Sequence, residues 1–201
     1  MASHQDGYAT GRLRREQILT AATELFARVG YRHATVLELA QAAGISRTGL
    51  LHHFGSKEAL LEAVLQRRDA EDGARFASAQ ADQTGVAALT ALIDLARYNV
   101  SQPHLVALFA VLSAEAAAGE HPARDYFIER YRRTVEGARR SLLRAREAGV
   151  LAADIDPEQQ AHAIVALMDG LQVQWLLDPA LDMAGAIRSH LQRLLTVPLP
   201  R

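Results

Sequence analysis

Apolar residues recur along the chain at intervals of three and four positions, and no segment shows the alternation that is typical of a β-strand. This interval places apolar side chains on one face of an α-helix, which can then pack against other helices. A first stripe from Ile18 to Val29 predicts a helix over about 12–29 that ends at Gly30. The pattern as a whole predicts an all-α protein.

The same spacing predicts six further helices in the rest of the chain. Prolines stand where the first position of a helix tolerates a missing N–H, glycines stand just past helix ends, and aspartates stand at N-cap positions. These residues are Pro103, Pro122 and Pro157, then Gly119 and Gly149, then Asp156 and Asp182. The predicted helices cover about 56–79, 86–101, 103–118, 122–148, 157–177 and 183–196.

A pair of short helices is predicted in the first third of the chain. The first begins at a Thr-x-x-Glu capping box that starts at Thr35, the turn contains Gly44, and Ser46 caps the second helix. Leu50 and Phe54 lie four positions apart and are expected to be buried, which leaves a polar face outside. This is the pattern of a helix-turn-helix, whose second helix fits the major groove of DNA.

The formal net charge of −1 hides an uneven distribution along the chain. Residues 1–57 hold seven Lys and Arg against four Asp and Glu, a balance of +3, whereas the remainder carries −4. The positive charge therefore lies on the segment that contains the helix-turn-helix, as contact with phosphate requires. We expect a flexible arm over 1–11, a DNA-binding domain over 12–57 and a domain of different function over 58–201.

Composition excludes several other classes of protein. The chain of 201 residues has no cysteine, so it can form no disulfide, thiolate metal site or cysteine nucleophile. It also lacks a glycine-rich phosphate loop and a nucleophile elbow, so we expect no enzyme and no cofactor. Adjacent residues on a helix point about 100° apart, so His52 and His53 do not converge on one ion, and we expect no metal. No apolar leader or membrane span is found, which predicts a cytoplasmic protein.

The stretch from about Arg14 to Val64 resembles the N-terminal domain of TetR-family transcriptional regulators. Its most specific segment is Gly44-Ile-Ser-Arg-Thr-Gly-Leu-Leu-His-His-Phe-Gly-Ser-Lys-Glu-Ala-Leu60. The second half resembles the family in its number of helices and in residues 168–179. The resemblance implies an all-helical homodimer with a three-helix DNA-binding head and a six-helix ligand-binding and dimerisation body. The usual activity of such proteins is repression at a palindromic operator, relieved by a small-molecule inducer.

The resemblance also implies which residues meet DNA. By position these are Thr35, Ser46, Arg47, Thr48, Gly49, His53 and Lys57. Arg47 and Thr48 are expected at base edges, where an arginine can hold guanine O6 and N7 together. The remaining side chains are expected to contact phosphates. Two positions depart from the family: Gly49 offers no side chain to a base, and Leu51 stands where a tyrosine is frequent.

Two apolar stripes near the end of the chain predict a dimer interface. They comprise Ile164, Leu167 and Leu171 in one helix and Ile187, Leu191 and Leu194 in the next. Together with a second copy they would form a four-helix bundle about a twofold axis. The alternative is that both stripes are buried within one subunit.

A mainly apolar and aromatic set of side chains is expected to line a ligand pocket in the second half. These residues are Tyr98, Phe109, Ser113, Phe127, Tyr131, Met168, Gln172 and Trp175, with Phe76 and Tyr126 as further candidates. Small-molecule cavities have this composition, but so does an ordinary core. A co-regulator that dimerises and recruits protein partners without a ligand, or an enzyme with a relic DNA-binding head, are the alternative functions.

Overall fold

The computed structural model describes residues 3–77 and 84–200, with side chains from Gly11 onward except at positions 72 and 75–77. Within these ranges the chain forms nine α-helices and no strand. They are α1 (Ser3–His33), α2 (Val36–Ala42), α3 (Arg47–Phe54), α4 (Lys57–Ala77), α5 (Val86–Val100), α6 (Pro103–Ala117), α7 (Arg124–Glu147), α8 (Pro157–Leu177) and α9 (Met183–Leu194). The predicted all-α class is confirmed.

Helix α1 starts nine residues before its predicted first residue. Its backbone is helical from Ser3, so most of the expected arm over 1–11 continues the helix. Extending a helix that already exists costs less than nucleating a new one, which explains this difference. Gly30 interrupts the helix with φ 77° and ψ 163°, close to the predicted end.

Helix α7 starts at Arg124 rather than at Pro122. The residues before it form a turn in which the Ala123 N–H donates to His121 Nδ1 at 3.1 Å and the Arg124 N–H donates to the His121 carbonyl at 3.0 Å. Pro122 therefore lies inside a turn. Other predicted boundary signals are confirmed: Pro103 begins α6, Pro157 begins α8, Asp156 caps α8 and Asp182 caps α9.

The chain divides into two compact units, which we call the first unit and the second unit. The first unit comprises Met1–Asp69 and Ala107–Arg124, and the second comprises Ala70–Val106 and Asp125–Arg201. Most of α6 thus belongs to the same unit as the helix-turn-helix. The functional boundary expected between residues 57 and 58 stays a prediction.

The core of the first unit is built from one face of each of its helices. Its largest fully buried side chains are Ile18, Leu19, Phe26, Leu39, Leu50, Leu60, Leu61, Leu108 and Leu112. Two hydrogen bonds join α4 to α1. The Arg67 guanidinium donates to the hydroxyls of Thr20 at 3.2 Å and Thr23 at 3.1 Å. These contacts hold the first helix against the fourth.

The second unit has its own hydrophobic core, to which α5, α7, α8 and α9 contribute. Helix α9 packs against α5 and α8. The fully buried side chains include Leu89, Ile93, Leu142, Ala161 and Leu191.

This core contains the residues of the predicted dimer interface. Ile164, Leu171, Ile187, Leu191 and Leu194 are all buried in the core of their own subunit, and Leu167 packs partly buried against it. A side chain that one chain already covers has no surface left for a second copy. The two stripes therefore satisfy the alternative stated above, burial within one subunit.

The described residues contain no single helix that is long and apolar enough to cross a membrane, although α5 and α6 pass the same test as a bent pair.

Candidate nucleic-acid interface

The first helix of the predicted helix-turn-helix is capped at its N-terminus as the sequence predicts. The Thr35 hydroxyl accepts from the Glu38 N–H at 3.2 Å, while the Glu38 carboxylate accepts from the Thr35 N–H at 2.9 Å and from its hydroxyl at 2.7 Å. These hydrogen bonds lower the pKa of the Glu38 carboxyl, which favours its charged form. The capping box therefore satisfies two backbone donors and fixes where α2 begins.

The conformation of the turn and the start of α3 are also determined by residues that are close in the sequence. Gly44 has φ 64°, a conformation that favours glycine, and the Ser46 hydroxyl accepts from the Gly49 N–H at 3.0 Å. A Cβ at Gly49 would lie 3.2 Å from that hydroxyl, so a larger residue would press on the cap. Helix α3 is anchored by Leu50 and Phe54, both buried.

The Phe54 side chain, at the end of α3, is contacted by a cationic side chain of α1. The Arg15 guanidinium of α1 lies 4.7 Å from the centre of the Phe54 ring, within the range of a cation–π contact. The anchored face of α3 thus packs inward, and its other face carries the polar residues.

The candidate DNA contacts lie in α3, at its N-cap, and at the starts of α2 and α4. Thr35, Ser46, Arg47 and Thr48 are exposed, whereas Gly49, Leu51, His53 and Lys57 are half-buried. Arg47 and Thr48 occupy the first turn of α3, the part of a recognition helix that meets base edges. Their predicted roles toward bases and phosphates stay predictions.

A cleft of about 430 Å³ opens beside these residues. It is lined by Arg32, Ala34, Thr35, Val36, Arg47, Leu51, Gly55, Ser56, Lys57 and Glu58. Three of these residues are cationic and one is a carboxylate, so the balance of charge favours an anion such as a backbone phosphate. Arg32 and Ser56 were not among the predicted contacts, and Arg32 is exposed.

Besides the predicted phosphate contact, Lys57 makes contacts within the first unit. Its ammonium donates to the carbonyls of Tyr31 at 2.9 Å and Ala34 at 2.8 Å, and it lies 4.2 Å from the centre of the Tyr31 ring. Because an ammonium has three donors, one remains after these two bonds. Lys57 therefore holds the residues just before α2 in place in the absence of DNA.

Tyr31 is the centre of a polar cluster that the sequence pattern did not indicate. Its hydroxyl donates to Glu58 Oε1 at 2.7 Å, and its N–H donates to Glu115 Oε2 at 2.9 Å. Burial, reinforced by the Glu58 carboxylate, raises the pKa of the Tyr31 hydroxyl, while the hydrogen bond lowers the pKa of the Glu58 carboxyl. The cluster therefore contains a neutral tyrosine and an ionised glutamate over the whole neutral range.

Family models match both parts of the chain. Residues 18–64 match the model of bacterial regulatory proteins of the tetR family, and residues 87–196 match the C-terminal model of BetI-type transcriptional repressors. The second match alone spans more than half of the chain. The protein belongs to the TetR family. Members of this family are transcriptional regulators and not enzymes.

Curated relatives of this TetR-family protein match less than half of its length. A transcriptional repressor of Mycobacterium tuberculosis, Rv1474c, is 51% identical over 65 residues, which are 32% of this chain and 34% of the relative. The repressor AcnR of Corynebacterium efficiens is 38% identical over 86 residues, which are 42% of this chain and 44% of the relative. The chain thus spans less than half of the length of these relatives.

Solved structures match nearly the whole chain at lower identity. A TetR-family regulator from Agrobacterium tumefaciens has a TM-score of 0.78 at 21% identity, covering 92% of this chain and 100% of that one. A transcriptional regulator from Saccharomonospora viridis, solved in complex with choline, has a TM-score of 0.73 at 22% identity, covering 91% and 98%. At this identity the likeness establishes the fold, a helix-turn-helix head followed by a helical body.

The residues predicted to line a ligand pocket are divided between the two units. Phe109 and Ser113 belong to the first unit, and Tyr98, Phe127, Tyr131, Met168, Gln172 and Trp175 belong to the second. Phe127, Met168 and Trp175 are buried, and Met168 and Trp175 belong to the core of the second unit. The Phe76 side chain lies outside the described part of the structure. The pocket stays a prediction, and none of its residues lines the cleft described above.

Proposed function

We propose that this protein is a homodimeric transcriptional repressor that binds a palindromic operator and is released from it by a small molecule. The observation that carries the proposal is the exposed first turn of α3, with Arg47 and Thr48 next to a cleft lined by three cationic side chains. The names of the curated relatives, which are repressors, support the direction of regulation.

The proposal is tested by selecting random and genomic DNA fragments on the purified protein at physiological salt and then footprinting the selected fragments. We expect a palindromic footprint whose half-sites lie about one helical turn apart, roughly 34 Å, because two heads related by a twofold axis read equivalent sequences. Recovery of fragments without a shared sequence would contradict operator-specific binding.

Replacing Arg47 with alanine is expected to weaken operator binding by about 1–3 kcal/mol while changing binding to random DNA little. The reason is that a bidentate contact to a guanine carries sequence information, whereas phosphate contacts do not. Both affinities can be measured by fluorescence anisotropy at two salt concentrations.

The matched control is Arg140→Ala, which removes the same charge from an exposed position of the second unit. We expect this variant to bind both DNAs as the unmodified protein does. If Arg47→Ala instead lowers the affinity for operator and for random DNA equally, Arg47 contacts a phosphate and not a base.

Dimerisation is proposed through the outer face of α8, since the stripes first predicted are buried. Val173 is 47% exposed and Leu177 is 84% exposed, and they lie four residues apart on one face of this helix. Large apolar side chains that remain exposed on a helix next to a complete core are candidates for contact with a partner. A palindromic operator requires this partner to be a second copy.

The double variant Val173→Glu, Leu177→Glu is expected to sediment as a monomer, because two carboxylates on each copy would have to be desolvated against each other. The control is Val100→Glu, which places one charge at an apolar position with 48% exposure on α5 and should leave the dimer intact. A double variant that still sediments as a dimer would place the interface on another surface.

Release by a small molecule is proposed by analogy with structures of the same fold. The regulator from Saccharomonospora viridis was solved with choline, which supports a helical body able to hold a small ligand. The predicted pocket residues that belong to the second unit are the candidates for this ligand. Because coupling between two sites is reciprocal, operator DNA must weaken inducer binding by the same factor by which inducer weakens operator binding.

A further inference from the structure

The residues that connect α1 to the helix-turn-helix are held by side chains that lie far away in the sequence. This connection, residues 30–34, begins at the break of α1 at Gly30, includes the last residues of α1 and ends directly before Thr35, the residue that caps α2. Glu115 of α6 accepts from the Tyr31 N–H at 2.9 Å, across a separation of 84 residues. Gly30 lies so close to the same carboxylate that a Cβ there would collide with Glu115 Oε1.

His121 supports the Glu115 carboxylate from the other side. Its side chain is fully buried, its Nε2 lies 3.4 Å from Glu115 Oε2, and its ring meets the Tyr31 ring edge to face at 5.0 Å between centres. Since Nδ1 accepts from the Ala123 N–H, the ring proton of the neutral form is on Nε2, which lies next to the carboxylate without a hydrogen bond to it. A further contact joins the same segments, because Arg32 donates to the Glu120 carbonyl at 2.8 Å.

The opposite side of the connection is held by α4, through the two hydrogen bonds of Lys57 and the Tyr31–Glu58 bond described above. Residues 30–34 are therefore clamped between the start of α4 and the segment 115–121. All of these residues belong to the first unit. The position of Thr35, and with it the start of α2, depends on contacts from both sides.

Taking the operator contacts proposed above for α2 and α3, we infer that Glu115 and His121 are positioning residues for DNA binding. They touch no DNA themselves. They hold the backbone of Tyr31 and thereby the capping residue of α2, so the segment at the end of α6 controls the orientation of the helix-turn-helix. A head that loses this clamp occupies its binding-competent arrangement for a smaller fraction of the time, and its apparent affinity falls by that fraction.

The clamp also responds to protonation. Burial is the main cause that lowers the pKa of His121, the charges of Arg32 and Lys57 add to this effect, and Glu115 opposes it. The last titratable group around the His121 ring is the Tyr31 hydroxyl, which is hydrogen-bonded to Glu58. When the imidazole gains a proton, Nδ1 becomes a donor and can no longer accept from the Ala123 N–H. The turn before α7 then loses its side-chain hydrogen bond as the pH falls.

The test compares two substitutions at one position. Glu115→Ala removes the acceptor for the Tyr31 N–H, whereas Glu115→Gln keeps an amide oxygen in its place and removes only the charge. We expect Glu115→Ala to lower operator affinity about tenfold, the effect of a head that is competent about a tenth of the time, and Glu115→Gln to recover most of this loss. Glu62→Ala, which removes an exposed carboxylate of α4 that is not part of the clamp, is the control and should bind as the unmodified protein does.

Two further measurements distinguish positioning from direct contact with DNA. The slope of affinity against salt concentration should be the same in all three variants, because no phosphate contact is lost. Hydrogen exchange of the peptide that covers residues 30–35 should become faster in Glu115→Ala alone, in the absence of DNA. A reduced salt slope, or an exchange rate that does not change, would overturn the inference.

The pH dependence is tested with His121→Asn, whose side-chain oxygen can accept from the N–H two residues later as Nδ1 does. As the pH falls below the usual pKa of a histidine, we expect the operator affinity of the unmodified protein to fall relative to that of this variant. Parallel pH profiles would overturn the role of His121. If the unmodified protein binds no operator but Glu115→Ala still speeds exchange at residues 30–35, the proposed function fails while the clamp itself stands.

Discussion

Leu191→Glu is expected to unfold the protein rather than to separate two subunits. The Leu191 side chain is completely buried in the core of the second unit, between helices that one chain supplies. Removing a buried leucine costs about 2–5 kcal/mol, and the unpaired carboxylate adds a desolvation penalty of at least a few kcal/mol. The total approaches or exceeds the roughly 5–15 kcal/mol by which a typical domain is stable.

Circular dichroism and urea unfolding of the variant measure this loss directly. The control is Ser189→Glu, which adds the same charge at an exposed position of α9 and should shift the unfolding midpoint little. If the Leu191→Glu protein is folded and sediments as a monomer, Leu191 lies in the interface between subunits and the prediction is wrong.

Gly85→Ala is expected to destabilise the second unit by several kcal/mol more than a typical substitution to alanine. Gly85 caps α5 with φ 73°, and a Cβ there would collide with the carbonyl oxygen of Ser141 in α7. The positive φ alone costs about 1–2 kcal/mol for a residue with a side chain. The collision adds to it because a helix backbone cannot move aside as a flexible side chain can.

Gly149→Ala separates these two effects. Gly149 has φ 70°, but a Cβ there would meet no atom within 4 Å, so this variant carries only the cost of the backbone conformation. The difference in the free energy of unfolding between the two variants, measured with urea, is the cost of the contact with Ser141. Equal losses would mean that α5 and α7 do not approach each other at this point.

The sequence predicts the helix-turn-helix well because the signals for it are local. The capping box at Thr35, the turn at Gly44 and the cap at Ser46 each depend on residues at most four positions away. Helix ends marked by Pro157, Asp182 and Gly149 are predicted for the same reason. Pro122 is the exception, because the side chain of His121 forms a turn that no propensity for helix starts reveals.

The spacing of apolar residues does not show whether an apolar face is buried by the same chain or by a second copy. The stripes of α8 and α9 have the spacing of a buried surface, and the spacing is the same whether α5 of the same chain or a second copy covers it. Charge alone is equally ambiguous for Lys57, since backbone carbonyls attract an ammonium as a phosphate does. The contacts of Tyr31 with Glu115 could not be predicted, because no local pattern links residues 84 positions apart.

The two faces of α3 have consequences for how this protein could change its target. Its attachment to the rest of the first unit uses Leu50 and Phe54, whereas the positions expected to read bases, 47 and 48, are exposed. Substitutions at these two positions therefore leave the core untouched. Under the proposed function, operator preference and folding stability are encoded by separate residues of one short helix, so selection can alter the set of regulated genes without first compensating for a weakened structure.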